Sequence, residues 1–334
     1  MTDFPALAAI GWNARLATAL AALPGGSGRP ARVIEQHRAH LLVDDGATTL
    51  KARPLAALHE TLDAAGDGLA VGDWVLVREE GGTPFLGACL PRASLLQRSR
   101  PEHGVQRIAA NVDTALLVMA LDNDYSPNRL ERYLLMVRAA GVEPVVLLTK
   151  PDRAPALAAQ RAEIAAVAGE RVPLRVLDAR DDGAGPLLAP WLREGATLVL
   201  LGSSGVGKST LLNTLAGETR QRTGATRAYD DRGRHTTTAR SLRRLPGGAC
   251  LIDTPGVREL KLGGDEDAAR DAFDDIARHA ADCRFRDCRH QREPGCAVVA
   301  HVAADRLANY HKLTGELQAA RVPAAEPRKP PRRR

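Results

Sequence analysis

The residues best suited to chemistry in this chain lie between Gly202 and Ser209, in the octapeptide GSSGVGKS. Its spacing fits G-x-x-x-x-G-K-[ST], a loop whose backbone N–H groups surround phosphate oxygens. In such a loop Lys208 contacts the β- and γ-phosphates, and the Ser209 hydroxyl ligates Mg²⁺. The spacing therefore predicts a nucleoside triphosphate site without specifying the base. The predicted phosphate contacts are Gly202, Ser203, Ser204, Gly205, Val206, Gly207, Lys208, Ser209 and Thr210.

The flanking sequence supplies the two elements that this loop needs. Thr197–Leu201 has the sequence TLVLL and predicts a buried parallel strand, and Leu211–Ala216 predicts a helix. A helix N-terminus favours an anion because its first N–H groups lack partners. Strand, loop and helix in this order favour phosphate binding over a glycine-rich turn that matches the pattern by chance.

Upstream of the loop, Thr149–Asp152 carries the sequence TKPD at the end of an apolar strand and resembles the [NT]KxD box of GTPases. The Asp152 carboxylate can accept hydrogen bonds from N1–H and the 2-amino group of guanine. Adenine lacks the 2-amino group, so the motif indicates GTP rather than ATP. The stem of Lys150 can cover the base. Thr149 stands where Asn is commoner, and weaker bracing of the loop is expected.

A second base-reading element is expected at Asp178-Ala179, which follows a strand predicted at 174–177. The pair takes the place of an [ST]A box but lacks its Ser, so only its backbone is assigned a role, toward guanine O6. Together the predicted guanine contacts are Thr149, Lys150, Pro151, Asp152, Asp178 and Ala179.

Two segments beyond the loop are suited to Mg²⁺ and the γ-phosphate. Asp253–Gly256 has the sequence DTPG and fits D-x-x-G, in which Asp253 holds Mg²⁺ through water and the Gly256 N–H contacts the γ-phosphate. In Gly233–Thr238, sequence GRHTTT, one threonine is expected to complete the Mg²⁺ shell when GTP orders this segment. A plain polar loop is the alternative. The candidates are Thr236, Thr237 and Thr238, and the sequence does not choose among them. Thr237, the middle one, is named below for whichever of the three binds the ion.

The order of these motifs is itself informative. In Ras-like GTPases the phosphate loop comes first and the base-reading box late, whereas here Thr149–Asp152 precedes Gly202–Ser209. This order indicates a circularly permuted nucleotide domain. It also means that the segment around Gly256 runs directly into whatever follows. A movement that depends on the γ-phosphate is therefore placed to act on a C-terminal domain, and an inert tether is the alternative.

A separate candidate site combines cysteines and a histidine near the C-terminus. Three of the five cysteines fall in one short segment with a histidine between them. Three thiolates and one imidazole form the closed tetrahedral set typical of structural zinc, which leaves no position for a hydrolytic water. Free cysteines beside a surface histidine are the alternative. Arginines suited to phosphate contacts lie between the ligands: Arg284, Arg286, Arg289 and Arg292. The predicted zinc ligands are Cys283, Cys288, His290 and Cys296.

The elements that must position these residues indicate a multidomain fold. Short β-like runs between residues 29 and 97 predict a small OB-type barrel, with Trp74 and Phe85 as its candidate stacking aromatics. Alternating strands and helices from residue 114 predict a parallel α/β sheet, whose ligands bind beyond the carboxyl ends of the strands. The predicted domains are an N-terminal extension (1–28), an OB-type RNA- or ribosome-binding barrel (29–97), a circularly permuted P-loop GTPase domain (98–265), a mainly α zinc-binding domain (266–320) and a basic tail (321–334).

Composition limits the class of protein. With 334 residues, 44% of them hydrophobic, the chain is long enough for two or three domain cores. A net charge of +6 suggests a polyanionic partner. No apolar run approaches the roughly 18 residues that a membrane helix needs, and no secretory signal is evident. We therefore expect a cytoplasmic protein that does not engage a membrane, in which clustered cysteines favour a metal over disulfides.

The ordered motifs closely resemble one family, the bacterial circularly permuted GTPases of the RsgA (YjeQ, EngC) type. The resemblance covers nearly all of the chain after residue 28 and implies an OB domain, a GTPase domain and a zinc domain. It also implies GTP or GDP with Mg²⁺, one structural Zn²⁺, and a monomer that binds the 30S subunit and its 16S rRNA late in maturation, hydrolyses GTP on stimulation by that subunit, and dissociates. The segments that carry it are Tyr125–Tyr133, Thr149–Asp152, Gly202–Thr210, Gly233–Thr238, Asp253–Gly256 and Cys283–Cys296.

One departure concerns catalysis. In Ras-like enzymes a Gln after the D-x-x-G glycine orients the attacking water, and here Val257 occupies that position. A valine cannot orient water, so we expect slow intrinsic hydrolysis that depends on another group. In the family reading His235 is the candidate. The predicted catalytic set is His235, Lys208 and Gly256.

Two other functions remain open from the sequence. A nucleotide kinase or metabolic NTPase would carry an acceptor pocket and a lid, and no insertion of that kind is evident. An RNA-bound NTPase scaffold that does not act on the ribosome is the alternative function. A nucleic-acid-binding scaffold with a vestigial nucleotide site is disfavoured because the chemically essential residues are intact. These are Asp152, Lys208, Ser209 and Asp253.

Overall fold

The computed structural model describes residues 4–23, 27–100, 104–217, 240–254 and 273–321. The strands in these ranges are β1 (Arg29–Gln36), β2 (Leu41–Asp44), β3 (Thr49–Pro54), β4 (Trp74–Glu80), β5 (Thr83–Cys89), β6 (Leu95–Arg100), β7 (Gly104–Ala110), β8 (Thr114–Ala120), β9 (Glu143–Thr149), β10 (Leu174–Val176), β11 (Thr197–Leu201), β12 (Ser241–Arg244) and β13 (Cys250–Asp253). The helices are α1 (Pro5–Ala8), α2 (Ala14–Ala21), α3 (Ala56–Ala64), α4 (Pro127–Ala139), α5 (Leu157–Ala168), α6 (Ala184–Leu188), α7 (Lys208–Leu215), α8 (Asp274–Ala280), α9 (Ala297–His301) and α10 (Ala304–Arg321).

The first five strands close into a barrel in the order β1–β2–β3–β5–β4, with β4 returning to β1. Its pairings are antiparallel except for β3 with β5, which run parallel. The OB-type barrel predicted for this part of the chain is confirmed. Helix α3, which the sequence pattern does not reveal, packs Leu58 against the barrel core. That core is apolar and buried, and includes Val33, Val43, Ala52, Val75 and Leu86.

Trp74, one of the two candidate stacking aromatics, is buried instead. It is only 1% exposed, and its ring lies edge-on to Trp12 with centroids 5.0 Å apart and beneath the Arg32 guanidinium. The ring belongs to the core shared with the N-terminal helices and the α/β domain. Trp74 is therefore unavailable for stacking on a base, which leaves the half-buried Phe85 as the aromatic candidate of the barrel.

Strands β8 to β13 form the predicted α/β sheet, separate from the two-stranded sheet of β6 and β7, in the order β10–β9–β8–β11–β13–β12. Neighbours are parallel except β12, which is antiparallel to β13 and also pairs with β1, so the sheet continues into the barrel. The central strands β8 and β11 are buried along their whole length, as expected when helices cover both faces. The phosphate loop follows β11 and thus opens at the edge where β8, β9 and β13 also end.

Three local boundaries differ from the sequence pattern. The sequence pattern predicts a helix from about residue 154 to 168, but α5 begins at Leu157, because Pro151–Arg153 form a 3-10 turn first. Helix α7 begins at Lys208, three positions before the apolar run, because the phosphate loop leads directly into its first turn. The basic stretch 98–107 resembles a connector in sequence, but of its described residues 98–100 pair with 104–106 at the ends of β6 and β7.

The N-terminal extension is a structural part of the molecule. Helices α1 and α2 bury Leu7 and Leu16 in the central core. The buried Arg32 guanidinium donates to the carbonyl of Ile10 and, at 2.8 Å, to the hydroxyl of Thr197. This side chain on β1 therefore joins the extension, the barrel and the α/β sheet.

Of the C-terminal helices α8, α9 and α10, it is α10 that packs against α4 of the α/β domain. The Glu131 carboxylate on α4 is 2% exposed and accepts hydrogen bonds from Arg306 and Asn309 on α10. Beside it, the two Arg132 nitrogens donate to Glu316 at 2.7 and 2.8 Å. No helix among the described residues is long and apolar enough to cross a membrane.

Candidate nucleotide and metal sites

The phosphate loop has the backbone conformation that only glycines adopt easily. Gly202, Gly205 and Gly207 have φ values of 154°, 83° and 103°. At Gly202 an added Cβ would lie 2.3 Å from the Val118 carbonyl oxygen, so any side chain would displace the loop from β8. The loop ends at Gly207, the N-cap of α7, and its N–H groups are thereby directed to one anion-binding position.

Lys208 lies within this loop. Its Nζ donates to the carbonyl oxygens of Gly202 at 2.9 Å and Ser203 at 2.6 Å. Burial lowers the pKa of Lys208 to about 8, and the nearby charges of Asp253 and Asp124 oppose that shift. The ammonium group is thus partly desolvated and bound only to neutral carbonyls, so an anionic phosphate is a favourable new partner.

The two side chains expected to bind Mg²⁺ face each other. The Ser209 hydroxyl donates to Asp253 Oδ2 at 3.5 Å. Asp253 is 3% exposed, burial raises its pKa, and its Oδ1 has no hydrogen-bond partner among the described residues. An unsatisfied buried carboxylate oxygen beside a hydroxyl oxygen suits a hard cation such as Mg²⁺, which prefers oxygen ligands. These residues therefore fit the ion.

Two side chains of the base-reading box hold it in place, one against the phosphate loop and one against the segment after β8. The buried Thr149 hydroxyl donates to the Val206 carbonyl oxygen at 2.6 Å. Lys150 adopts a left-handed conformation with φ 56°, and its Nζ lies 2.7 Å from Asp122 Oδ2 just beyond β8. The threonine hydroxyl thus braces the loop directly, and bracing weaker than an Asn would give stays a prediction.

The guanine-reading side is open to solvent. The Asp152 side chain is 53% exposed, and its Oδ2 lies 3.7 Å from Arg180 Nη2. Arg180 also makes a two-pronged contact with Asp178, with distances of 2.8 and 2.6 Å. The Ala179 carbonyl oxygen accepts a hydrogen bond from the Thr214 hydroxyl on α7 at 2.7 Å. This contact anchors the loop that contains Asp178 and Ala179 to the helix that follows the phosphate loop.

Sequence reasoning missed three charged residues of this site. Asp122 and Arg180 adjoin the base-reading loops, and Arg129 on α4 donates to the Ser203 hydroxyl. Asp122 lies two residues after the end of β8, so its position just beyond a strand was the available signal. Arg129 lies in the segment Tyr125–Tyr133 that carries the resemblance, but the helical pattern gives it no role, because an arginine of an amphipathic helix usually faces solvent.

Several predicted site residues lie outside the described ranges. These are His235, Thr236, Thr237, Thr238 and Gly256, together with Val257. The described part of the site therefore comprises the base-reading loops, the phosphate loop and Asp253.

The four predicted zinc ligands converge at the C-terminal helices. One ligand atom from each of Cys283, Cys288, His290 and Cys296 lies within 4.8 Å of the others. His290 Nδ1 is 3.6 Å from Cys283 Sγ and 3.5 Å from Cys296 Sγ, and the two sulfurs are 3.8 Å apart. Such spacing surrounds a tetrahedral metal with all positions taken by protein. The donor set therefore fits structural zinc.

Backbone interactions hold this cluster in shape. The Glu293 carboxylate accepts hydrogen bonds from the backbone N–H groups of Arg289, Gln291 and Arg292. Its own backbone N–H and these three groups lower the pKa of Glu293 to about 2. The Val299 N–H donates to Cys296 Sγ at 3.4 Å. The arginines predicted to contact phosphates are all exposed: Arg284, Arg286, Arg289 and Arg292.

Comparison with known proteins gives a consistent result. The family model described as RsgA GTPase matches residues 89–263. A protein of Xanthomonas oryzae pv. oryzae (strain PXO99A), named small ribosomal subunit biogenesis GTPase RsgA, is 45% identical over 95% of this chain and 90% of its own length. The protein of the same name from Xanthomonas campestris pv. campestris (strain B100) is 48% identical over 87% of this chain and 81% of its own.

Two solved structures share the fold. The crystal structure of YjeQ from Thermotoga maritima has a TM-score of 0.62 at 23% identity and covers 87% of this chain and 98% of its own. The crystal structure of YloQ, a circularly permuted GTPase, has a TM-score of 0.59 at 22% identity. It covers 89% of this chain and 98% of its own. Both therefore share the permuted architecture described above.

Proposed function

This chain belongs to the RsgA GTPase family, and on that premise we propose that it is a GTP hydrolase of small ribosomal subunit biogenesis. It binds the 30S subunit late in maturation, hydrolyses GTP when the subunit stimulates it, and then dissociates. The observation that carries the proposal is the hydrogen bond from Thr149 to the Val206 carbonyl. It joins a guanine-type box to a phosphate loop at one edge of the sheet, which is what a permuted guanine-nucleotide site requires.

Phosphate binding uses side chains that the loop already holds in position. Lys208 exchanges the carbonyls of Gly202 and Ser203 for phosphate oxygens, and the loop N–H groups supply the remaining donors. Ser209 and Asp253 would hold Mg²⁺, and the bound ion would neutralise charge on the phosphates. The Gly256 N–H and one of the three switch threonines, represented by Thr237, complete this side.

Guanine recognition falls to the opposite side of the site. Asp152 accepts the N1–H and 2-amino hydrogens, and the Ala179 N–H is directed to O6. Arg180 binds Asp178 and thereby neutralises a carboxylate that cannot donate to O6. Thr149, Lys150 and Pro151 shape the pocket, with the stem of Lys150 against the base. Discrimination against adenine follows because Asp152 would be left unpaired.

Hydrolysis depends on a group that orients water. The Val257 side chain has no polar atom that could orient a water, so intrinsic turnover is slow. We assign water positioning to His235. Replacement of His235 by Ala is expected to remove most of the 30S-stimulated turnover. If stimulated turnover stays within about twofold of wild type, another group positions the water.

The partner is the small subunit with its 16S rRNA. The exposed arginines that surround the zinc cluster, together with the net charge of +6, suit a phosphate backbone. One Zn²⁺ bound by the Cys₃His set shapes this surface without taking part in hydrolysis, because protein atoms fill its coordination positions. We further propose that the protein acts as a cytoplasmic monomer without a membrane partner.

Turnover of GTP and ATP with and without purified 30S subunits tests the proposal. We expect GTP turnover to be slow alone and to rise at least about tenfold with 30S subunits, but not with 50S subunits. Turnover that 30S subunits do not change indicates a metabolic NTPase, and no turnover in either condition indicates an RNA-bound scaffold. Lys208→Ala is the control for contaminating activity.

A further inference from the structure

Arg129 connects helix α4 to the phosphate loop. Its Nη1 donates to the hydroxyl of Ser203, the second residue of the loop, and Ser203 is only 3% exposed. The carbonyl oxygen of the same Ser203 accepts a hydrogen bond from Lys208 Nζ at 2.6 Å. One loop residue is therefore held by two cations, through its side chain and through its backbone.

The position of the Arg129 guanidinium is set by Asp124. Nη1 lies 2.7 Å from Asp124 Oδ1, and Nη2 donates to the Asp124 carbonyl oxygen at 3.0 Å. The Arg129 side chain is 25% exposed, so these contacts form at the margin of the site rather than in free solvent. A planar guanidinium with fixed donors can serve Asp124 and Ser203 at once, which an ammonium cannot do with the same geometry.

We propose that Arg129 is a positioning residue of the GTPase site, which acts through Ser203 to hold the first turn of the phosphate loop in its nucleotide-binding conformation. The proposal rests on the nucleotide-binding function proposed above. Without the Arg129 contact the buried Ser203 hydroxyl loses its partner, and the loop must reorganise before phosphates bind. The expected loss is therefore in nucleotide affinity, while turnover at saturating GTP changes little.

The test is a double-mutant cycle on the full-length protein. Affinity for a fluorescent N-methylanthraniloyl analogue of GTP, KM and 30S-stimulated kcat are measured for Arg129→Ala, Ser203→Ala and the double variant. Each single change is expected to weaken affinity by about fivefold to tenfold, and the double variant no further, because both remove the same contact. Arg129→Lys is expected to recover only part of the loss. Arg132→Ala, on the same helix but paired with Glu316, is the matched control and stays within about twofold.

The outcomes separate this inference from the proposed function. If wild type neither binds GTP nor responds to 30S subunits, the proposed function fails first. If wild type behaves as proposed and Arg129→Ala keeps its affinity within about twofold, the inference is wrong. Losses that multiply in the double variant also overturn it, because Arg129 then acts on the nucleotide independently of Ser203.

Discussion

The hydroxyl of Thr149 and the carbonyl oxygen of Val206 lie 2.6 Å apart across 57 residues of sequence. Both residues are buried, at the end of β9 and in the phosphate loop respectively. In the Ras-like order the phosphate loop comes first and the base-reading box late, whereas in this permuted chain Thr149 precedes Val206. The hydrogen bond therefore joins base recognition to phosphate binding directly.

Removal of this hydroxyl tests its contribution. Thr149→Val keeps the shape but leaves a buried carbonyl without its donor, which costs about 1–2 kcal/mol and corresponds to about tenfold weaker GTP binding. Isothermal titration calorimetry measures the affinity, and thermal unfolding the stability. Thr149→Ser retains the hydroxyl and is expected to bind GTP like wild type. Equal affinity for the valine and serine variants would contradict the role.

The base preference should change with a single atom in Asp152. In Asp152→Asn an NH₂ group replaces one carboxylate oxygen and makes the side chain an amide. The side chain then no longer accepts hydrogen bonds from both guanine groups. We expect GTP affinity to fall by roughly a hundredfold or more, while xanthosine triphosphate, whose 2-oxo group is an acceptor, binds better than to wild type. Competition with a fluorescent nucleotide measures both. Unchanged preference would mean that Asp152 does not contact the base.

Nucleotide binding should depend on pH through Lys208. Burial lowers its pKa to about 8 without nucleotide, and phosphates favour the charged form, so binding raises this pKa. Below about pH 8 the ammonium is already present, whereas above it binding must take up a proton. We therefore expect affinity to fall as the pH rises from about 7 to about 9. Calorimetry in buffers of different ionisation enthalpy measures the number of protons taken up per nucleotide bound. Lys208→Arg, whose side chain stays charged, should show no such proton uptake.

The zinc cluster should stabilise the C-terminal helices without supporting nucleotide binding. Cys288→Ser removes one of four ligands, so bound zinc should fall from one equivalent to near zero and the melting temperature should drop. GTP affinity is expected to remain unchanged. Cys89→Ser, in the barrel and distant from the cluster, is the matched control. Full zinc content in the Cys288 variant would exclude that residue as a ligand.

The buried Glu131 makes the contact between α4 and α10 vulnerable to one substitution. Arg306→Ala leaves this carboxylate without its cation and is expected to cost about 3 kcal/mol. Arg132→Ala breaks the neighbouring, more exposed pair with Glu316 and should cost under about 1 kcal/mol. Urea unfolding of both variants compares them, and equal costs would mean that burial of Glu131 carries no penalty.

The sequence by itself determined the motifs, their permuted order and the classes of their partners. Regular spacing was enough for this because a phosphate loop, a Cys₃His set and an alternation of strands and helices are local patterns. It also predicted β8 and β11 at their observed bounds, since buried central strands are continuous apolar runs. Trp74 was misjudged because burial depends on what packs over a residue, which strand alternation does not reveal.

Only the tertiary structure decided how these parts act on one another. It paired Thr149 with Val206, placed Arg129 against Ser203, and joined α4 to α10 through Glu131. It also turned the N-terminal extension into a packed element held by Arg32. Each of these contacts joins residues far apart in the chain, and neither partner carries a local pattern that identifies the other. Their hydrogen bonds exist only because the sheet and the helices around it bring the two side chains to the same place.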